Sequence, residues 1–260
     1  MENIKVEKMD GIAKITLNRP QKLNAITLEL LDELRRALNK FEFDDEVRVV
    51  IITGEGKAFS AGLDLQAVSE GDLFKPSIAM LLAAKGQEVF TAIEKFPKPV
   101  IAAINGYAFG GGCELALACD FRIMSKNAQI GLTETALGLI PGWGGTQRLA
   151  KLIGIAKAKE LIMFAKRLNG EEAEKIGLVN KAVDPEKFWD EVMKFAKKLA
   201  EGAPIALRLA KFAINFGYEL PAEIGQAIEA ACFGVVTSTE DVKEGFSAFF
   251  EKRMPQFKGK

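Results

Sequence analysis

The 260-residue sequence contains no histidine. This absence excludes Ser-His-Asp and Cys-His nucleophilic sites, H-E-x-x-H zinc sites and any imidazole base. Any proton transfer must therefore use carboxylates, lysines or tyrosines. Cysteine is also scarce: Cys113, Cys119 and Cys232 form no C-x-x-C pair and are odd in number. They predict buried free thiols rather than a disulfide framework or a Cys-rich metal site.

The chain also lacks net charge and long apolar runs. Lys plus Arg and Asp plus Glu both number 35, so no overall field favours nucleic acid or an anionic membrane. No apolar run reaches the ~20 residues of a membrane span, and residues 1–5 lack the basic-then-apolar order of a signal peptide. These features predict a cytoplasmic protein that has neither a nucleic acid nor a membrane as its partner.

Local patterns predict mixed strands and helices first and helices later. Residues 4–7 and 13–17 alternate apolar and polar side chains across a glycine turn, which indicates a hairpin. Thr27 is placed to cap an amphipathic helix that runs to about Phe43. Residues 49–53 and 100–104 are short and almost wholly apolar, with both faces apolar as in buried strands. Residues 1–200 are therefore predicted to form an α/β core and residues 201–260 a helical segment.

Three consecutive glycines, Gly110, Gly111 and Gly112, stand between an apolar strand and a helix that carries Glu114. The N–H groups at a helix N-terminus suit an anion or a developing oxyanion. Tight packing of the strand against the helix would also require glycine. The run alone leaves both readings open.

A second glycine-containing segment, residues 56–65, directly follows the first buried strand. The carboxyl end of a strand is where open α/β folds bind ligands. A phosphate-binding loop is excluded because Ile51 and Ala58 stand where that motif requires Gly and Ser or Thr. Neither glycine cluster gives the dinucleotide-binding pattern G-x-G-x-x-G. Without further context, this segment is typical of an ordinary turn.

Glu134 lies in an otherwise uncharged stretch, residues 129–135. Alone, it is typical of a surface or helix-start residue. Paired with Glu114 in an unlike environment, it would allow one carboxylate to act as base and the other as acid.

Three ordered segments stand out in the sequence: residues 61–64 (Ala-Gly-Leu-Asp), residues 99–115 (Pro-Val-Ile-Ala-Ala-Ile-Asn-Gly-Tyr-Ala-Phe-Gly-Gly-Gly-Cys-Glu-Leu) and residues 140–149 (Ile-Pro-Gly-Trp-Gly-Gly-Thr-Gln-Arg-Leu). Together they resemble enoyl-CoA hydratases of the crotonase family. The resemblance is collinear and covers nearly the whole chain. It implies the crotonase (ClpP-like) α/β spiral of ββα repeats, followed by C-terminal helices that serve trimer contacts. Homotrimers, often paired into hexamers, are the expected assembly.

The resemblance also implies a reaction. Water would add reversibly to a 2-trans-enoyl-CoA thioester to give the 3-hydroxyacyl-CoA, with Glu114 as base and Glu134 as acid. The N–H groups of Leu63 and Gly111 would stabilise the enolate-like anion. No metal or separate cofactor is expected, because CoA is part of the substrate. Another crotonase-family acyl-CoA enzyme, particularly an enoyl-CoA isomerase, is the nearest alternative, and a noncatalytic RNA-binding or scaffold homologue is an alternative of another class.

Further residues map to the family's substrate contacts. Residues 67–76 are expected to help form the acyl pocket. Trp143 either narrows that pocket or merely packs. Phe233 and Lys252 would reach CoA from a neighbouring subunit, with helix packing and a solvated surface as their respective alternatives. The complete set of expected substrate-binding residues is Lys22, Leu23, Ala25, Ala61, Gly62, Asp64, Leu65, Gln66, Gly110, Trp143, Phe233 and Lys252.

Overall fold

A computed structural model of the protein describes residues 1–68 and 75–260. The described strands form two sheets. In spatial order, the larger sheet contains β1 (Ile4–Met9), β2 (Ile12–Leu17), β3 (Val49–Gly54), β5 (Val100–Ile104), β7 (Phe121–Ser125) and β10 (Lys181–Val183). The smaller sheet contains β4 (Ala58–Ser60), β6 (Tyr107–Phe109), β8 (Gln129–Gly131) and β9 (Leu168–Asn169).

The described α-helices are α1 (Leu28–Glu42), α2 (Pro76–Glu94), α3 (Gly111–Ala118), α4 (Gly145–Ile153), α5 (Ile155–Met163), α6 (Gly170–Lys175), α7 (Phe188–Ala200), α8 (Pro204–Gly217), α9 (Ala222–Thr237) and α10 (Glu240–Glu251). Short 3₁₀ helices occupy Pro20–Lys22, Glu134–Leu137 and Pro185–Lys187.

Successive strand pairs alternate between the two sheets. In each of the pairs β3–β4, β5–β6 and β7–β8, the first strand joins the larger sheet and the second joins the smaller one. Helix α2 follows the first pair and α3 the second, while a 3₁₀ turn and α4 follow the third. The strands β2, β3, β5, β7 and β10 run parallel. The predicted α/β arrangement of ββα repeats is therefore confirmed.

The predicted N-terminal elements are also confirmed. Strands β1 and β2 pair antiparallel, with Ile4 opposite Leu17. The Thr27 hydroxyl accepts a hydrogen bond from the Leu30 N–H at 3.2 Å, which satisfies a donor that the first helical turn leaves free. Helix α1 then ends at Glu42, one residue before the predicted end.

The central strands are buried on both faces. From β3, Val50 and Ile52 pack into the core that contains residues of α1 and α3. Val49 and Ile51 point to the other face and pack with buried residues of α7. A parallel sheet covered by helices on both faces requires the continuous apolar run that the sequence has at this strand.

Two details were not foreseen correctly. Strands β9 and β10 lie within residues 1–200, the range predicted as the α/β core, but no strand was predicted at either position. They contain two and three residues, which is too short to interrupt helical periodicity visibly. Cys113 and Cys119 are buried as expected, whereas Cys232 is only partly buried, because it lies on α9, which has no buried residue.

The C-terminal helices begin close to the predicted boundary. Helix α7 ends at Ala200 and α8 begins at Pro204. Helix α8 nonetheless contacts the core through a salt bridge, in which the Lys211 ammonium lies 2.7 Å from the Asp120 carboxylate. The division into a core and a trimerisation segment stays a prediction. Within residues 1–68 and 75–260, no helix has the length and hydropathy needed to cross a bilayer.

Candidate active site

The triple glycine forms the start of α3, and its members have different roles. Gly110 precedes the helix with a φ of 52°, a left-handed value that favours glycine. A Cβ on Gly112 would lie 2.1 Å from the Ser60 carbonyl oxygen of β4, so this position demands close packing. A Cβ on Gly111 would meet the Trp143 ring at 2.4 Å. Close packing of the helix against the strand therefore explains the glycine at position 112. The alternative, an N–H group that binds an anion, applies to Gly111.

The loop after β4 brings a second backbone N–H to the start of α3. Gly62 has a φ of 94°, and a Cβ on it would lie 2.9 Å from the Gly111 nitrogen. A Cβ on Gly111 would in turn lie 3.4 Å from the Leu63 nitrogen. Among residues 1–68 and 75–260, neither the Leu63 N–H nor the Gly111 N–H donates a hydrogen bond. Two unpaired donors therefore sit side by side.

Glu114 lies one turn into α3, and its side chain is buried with 2% exposure. Its Oε1 accepts hydrogen bonds from the Trp143 N–H at 2.7 Å and from the Gly145 N–H at 2.8 Å. Trp143 belongs to the turn before α4, and Gly145 is the first residue of α4. Because both N–H groups contact the same oxygen, they fix the orientation of the carboxylate and favour its ionised form.

Glu134 begins the 3₁₀ helix that follows β8. Both of its carboxylate oxygens are shielded from solvent and accept no hydrogen bond from a described residue. Its position at a helix start agrees with the sequence reading, but its carboxylate is not at the surface. A Cβ on Gly110 would lie 3.4 Å from Glu134 Oε1, which places this carboxyl group beside the start of α3.

The two carboxyl groups have raised pKa values for related reasons. Burial, assisted by the negative charge of Glu134, raises the pKa of Glu114 to about 7, although the N–H groups of Gly145 and Trp143 oppose this rise. Burial also raises the pKa of Glu134. Its own backbone N–H opposes this rise but does not reach hydrogen-bond geometry. Two neighbouring carboxyl groups with raised pKa values titrate as a coupled pair, which suits acid-base chemistry.

Several of the predicted CoA contacts meet where residues 19–26 pack against residues 54–66. The Ala61 N–H donates to the Leu23 carbonyl at 2.9 Å, and the Lys22 ammonium donates to the Gln66 side chain at 2.6 Å. Ala25 is buried at the same contact. The structure thus brings these five residues together, and their role in binding CoA stays a prediction.

Asp64 lies next to the predicted CoA contacts, and both of its carboxylate oxygens already contact groups of this chain. Its Oδ2 pairs with the Arg19 guanidinium at 2.9 Å, and its Oδ1 accepts the N–H groups of Gln66 and Ala67. These contacts hold the loop that carries Gly62 and Leu63, and the following residue, Leu65, is exposed. The sequence reading overlooked Arg19 as the partner of Asp64, because nothing local links residues so far apart.

Trp143 packs in the core as well as bordering the site. Its ring meets Phe90 edge to face with centroids 5.5 Å apart, and its Nε1 donates to the Leu82 carbonyl of α2. A Cβ on Gly86 would lie 2.2 Å from the same ring, so α2 approaches it as closely as glycine allows. The benzene edge faces Gly111. Of the two alternatives for Trp143, packing is confirmed, and its effect on the acyl pocket stays a prediction.

Two other expectations concern more distant parts of the chain. Phe233 on α9 is 70% exposed, and Lys252 directly follows α10 at the surface. Intrachain packing therefore does not account for Phe233. Of the segment expected to help form the acyl pocket, residues 69–74 lie outside the described residues.

The chain matches the family model described as Enoyl-CoA hydratase/isomerase over residues 7–260. The chain belongs to this enoyl-CoA hydratase/isomerase family. A family member from Clostridium acetobutylicum, a short-chain-enoyl-CoA hydratase, is 43% identical over 97% of this chain and 96% of its own length. A crotonyl-CoA hydratase from Syntrophomonas wolfei is 44% identical over 98% of both chains.

A solved family structure, the enoyl-CoA hydratase from Bacillus anthracis, superposes with a TM-score of 0.95 at 43% identity and covers 99% of this chain and 100% of that one. The fold and family expected from residues 61–64, 99–115 and 140–149 are therefore confirmed. The backbone donors of Trp143 and Gly145 to Glu114 were not foreseen. The Pro-Gly-x-Gly-Gly pattern of this turn was the available signal.

Proposed function

We propose that this protein is an enoyl-CoA hydratase that adds water reversibly to 2-trans-enoyl-CoA thioesters. One observation carries the proposal: buried Glu114 and the shielded carboxylate oxygens of Glu134, in unlike environments, lie at the helix start where two backbone N–H groups are unpaired. Hydration needs a base, an acid and a site for negative charge. The names of full-length relatives add support, since they are enoyl-CoA and crotonyl-CoA hydratases.

The proposed base is Glu114 and the proposed acid is Glu134. The two N–H groups at Glu114 Oε1 favour a carboxylate, which takes a proton from water as the water oxygen bonds to the β-carbon. Glu134 has no donor at its buried oxygens and burial raises its pKa, which favours a protonated carboxyl that delivers its proton to the α-carbon. Protonation of Glu134 also removes the negative charge that raises the pKa of Glu114, so Glu114 ionises more readily beside a protonated Glu134. The result is a 3-hydroxyacyl thioester, and a proton moved from Glu114 to Glu134 restores the site.

The Leu63 and Gly111 N–H groups would form the oxyanion hole. As water adds, the electrons of the double bond move onto the thioester carbonyl oxygen, and donors already in place stabilise that charge without rearrangement. Each donor of this kind typically contributes ~2.7 to 4 kcal/mol to the transition state. Leu63 contributes only its backbone, so the size of its side chain does not prevent this role.

We expect the purified protein to hydrate crotonyl-CoA, measured as loss of the conjugated enoyl absorbance and as formation of 3-hydroxybutyryl-CoA. A panel of enoyl-CoA chain lengths would then give its preference. Conversion of a 3-enoyl-CoA without hydration of crotonyl-CoA would instead favour the isomerase. Salt-sensitive RNA binding without either activity would favour the noncatalytic alternative.

We further infer that the protein assembles as a homotrimer or as a pair of trimers. Large apolar side chains of α9, α10 and the residues after them are exposed in the single chain, including Phe233, Phe246, Phe249, Phe250 and Met254. An interface between subunits would cover such side chains. Phe233 and Lys252 would then contribute to the CoA site of a neighbouring subunit.

Replacing Lys252 with alanine is expected to raise the KM for crotonyl-CoA by about 10-fold with little change in kcat, because an exposed charge that holds a CoA phosphate strengthens binding without touching the reaction. Among the described residues, the Lys252 ammonium has no ion-pair partner, which leaves it available. Steady-state kinetics would show whether KM rises while kcat stays unchanged. Lys243→Ala, on the exposed face of α10, is the matched control. An unchanged KM in a variant whose sedimentation mass equals the wild-type mass would restrict Lys252 to the surface role.

A further inference from the structure

Arg148 of α4 is built into the turn that holds Glu114. Its Nη1 donates to the Trp143 carbonyl at 2.9 Å, in the same turn whose Trp143 and Gly145 N–H groups contact Glu114 Oε1. Gly144, between them, has a φ of 105°, and a Cβ on it would lie 2.2 Å from Arg148 Nη1. The guanidinium therefore lies directly against the turn.

The other side of the guanidinium is fixed to α2. Its Nε and Nη2 donate to Glu94 Oε2 at 3.1 and 2.8 Å, and Nη2 also donates to the Thr91 hydroxyl. The Arg148 side chain is 11% exposed and the Glu94 side chain 36%, so solvent screens this ion pair only in part. A planar guanidinium can hold a carbonyl and a carboxylate together, which a single ammonium does less well.

We propose that Arg148 is a positioning residue that keeps the Trp143–Gly145 turn aimed at Glu114 and thereby keeps the Glu114 carboxylate available as the base. The inference rests on the proposed hydratase function. Arg148 touches neither the reacting atoms nor Glu114 itself in the hydrogen-bond network. It acts through the carbonyl of Trp143 and through its positive charge.

The positive charge of Arg148 lowers the pKa of Glu114, as the proposed role requires. The charged groups acting on Glu114 are Glu134 from the 3₁₀ helix, whose charge raises the pKa of Glu114, and Arg148 from α4, whose charge lowers it. The neighbouring thiol of Cys113 is buried and its pKa is raised, so it remains neutral. Without Arg148, Glu114 would lose both the nearby positive charge and the support of its two N–H donors. Both losses make the carboxylate harder to form.

The test compares Arg148→Met and Arg148→Gln, which remove the charge, with Arg148→Lys, which retains it. In the neutral variants, the ascending limb of the pH profile of kcat/KM is expected to move to higher pH by about one unit, with about 5-fold lower activity at pH 7. Arg148→Lys should recover part of this shift. Lys151→Met removes a more exposed charge from the same helix and is expected to leave the limb in place.

A second readout does not depend on the reaction. Carbon-13 NMR of glutamate-labelled protein reports the Glu114 titration, assigned by the signal that Glu114→Gln lacks. The same upward shift is expected there. An unmoved titration in folded Arg148→Met or Arg148→Gln, or an equal shift in Lys151→Met, would overturn the proposal.

If wild-type protein failed to hydrate crotonyl-CoA, the hydratase proposal would fail, and the NMR titration would still decide the role of Arg148. Should Arg148→Met not fold, the comparison of Arg148→Gln with Arg148→Lys gives the same decision.

Discussion

Replacement of Glu114 by glutamine is expected to lower the turnover of crotonyl-CoA hydration by about 100-fold or more, the scale of general acid-base catalysis. Glutamine keeps the size of the side chain, and its carbonyl oxygen can still accept the N–H groups of Trp143 and Gly145. It cannot take a proton from water. Glu134→Gln is expected to cause a loss of similar scale, because a buried amide cannot deliver a proton to the α-carbon.

The measurement is kcat under saturating crotonyl-CoA, with thermal unfolding to verify that each variant remains folded. Glu160→Gln is the matched control, since Glu160 lies at the surface and pairs with Lys157 and Lys166. Its turnover should equal that of the wild type. Near-normal turnover in either active-site variant would remove that glutamate from the mechanism.

Replacement of Gly111 by alanine is expected to lower kcat by about 100-fold, the cost of losing one oxyanion donor, and to destabilise the fold by about 1–3 kcal/mol through overpacking. The added methyl group would lie 2.4 Å from the Trp143 ring. That ring cannot retreat easily, because Phe90 and Gly86 enclose it. The start of α3 must therefore move, and the Gly111 N–H moves with it.

The double variant Gly111→Ala/Trp143→Leu provides the critical comparison, measured by kcat and by denaturant unfolding. A smaller side chain at position 143 should recover part of both losses, because the two positions interact directly. Gly234→Ala is the control, since a Cβ there meets nothing within 4 Å. The steric argument would be wrong if Gly111→Ala retained wild-type kcat, or if the double variant recovered neither kcat nor stability.

The parts of the fold that were predicted correctly depend on local patterns. The β1–β2 hairpin, the Thr27 cap and the buried strand β3 each follow from residues that are neighbours in the sequence. Strands β9 and β10 were missed because so few residues carry no detectable period. Their strand geometry comes from pairing with β8 and β7, which are distant in the chain.

The candidate site was predictable to a different degree. Glu114 and Glu134 were selected through the family resemblance, since Glu134 by its own surroundings is typical of a surface or helix start. The glycine run by itself left packing and anion binding undecided. The choice required knowledge of what faces each glycine: the Ser60 carbonyl at Gly112, and Trp143 and Leu63 at Gly111.

The sequence by itself determined which chemistry is available. Without histidine, the proton carriers had to be carboxylates, lysines or tyrosines, and the ordered motifs indicated the family. Only the tertiary structure decided how two identical side chains come to differ. Glu114 receives two N–H donors from residues 29 and 31 positions away, whereas the buried oxygens of Glu134 receive none. The ionisation of a carboxyl group depends on the solvent and dipoles around it, and folding alone brings those dipoles into place.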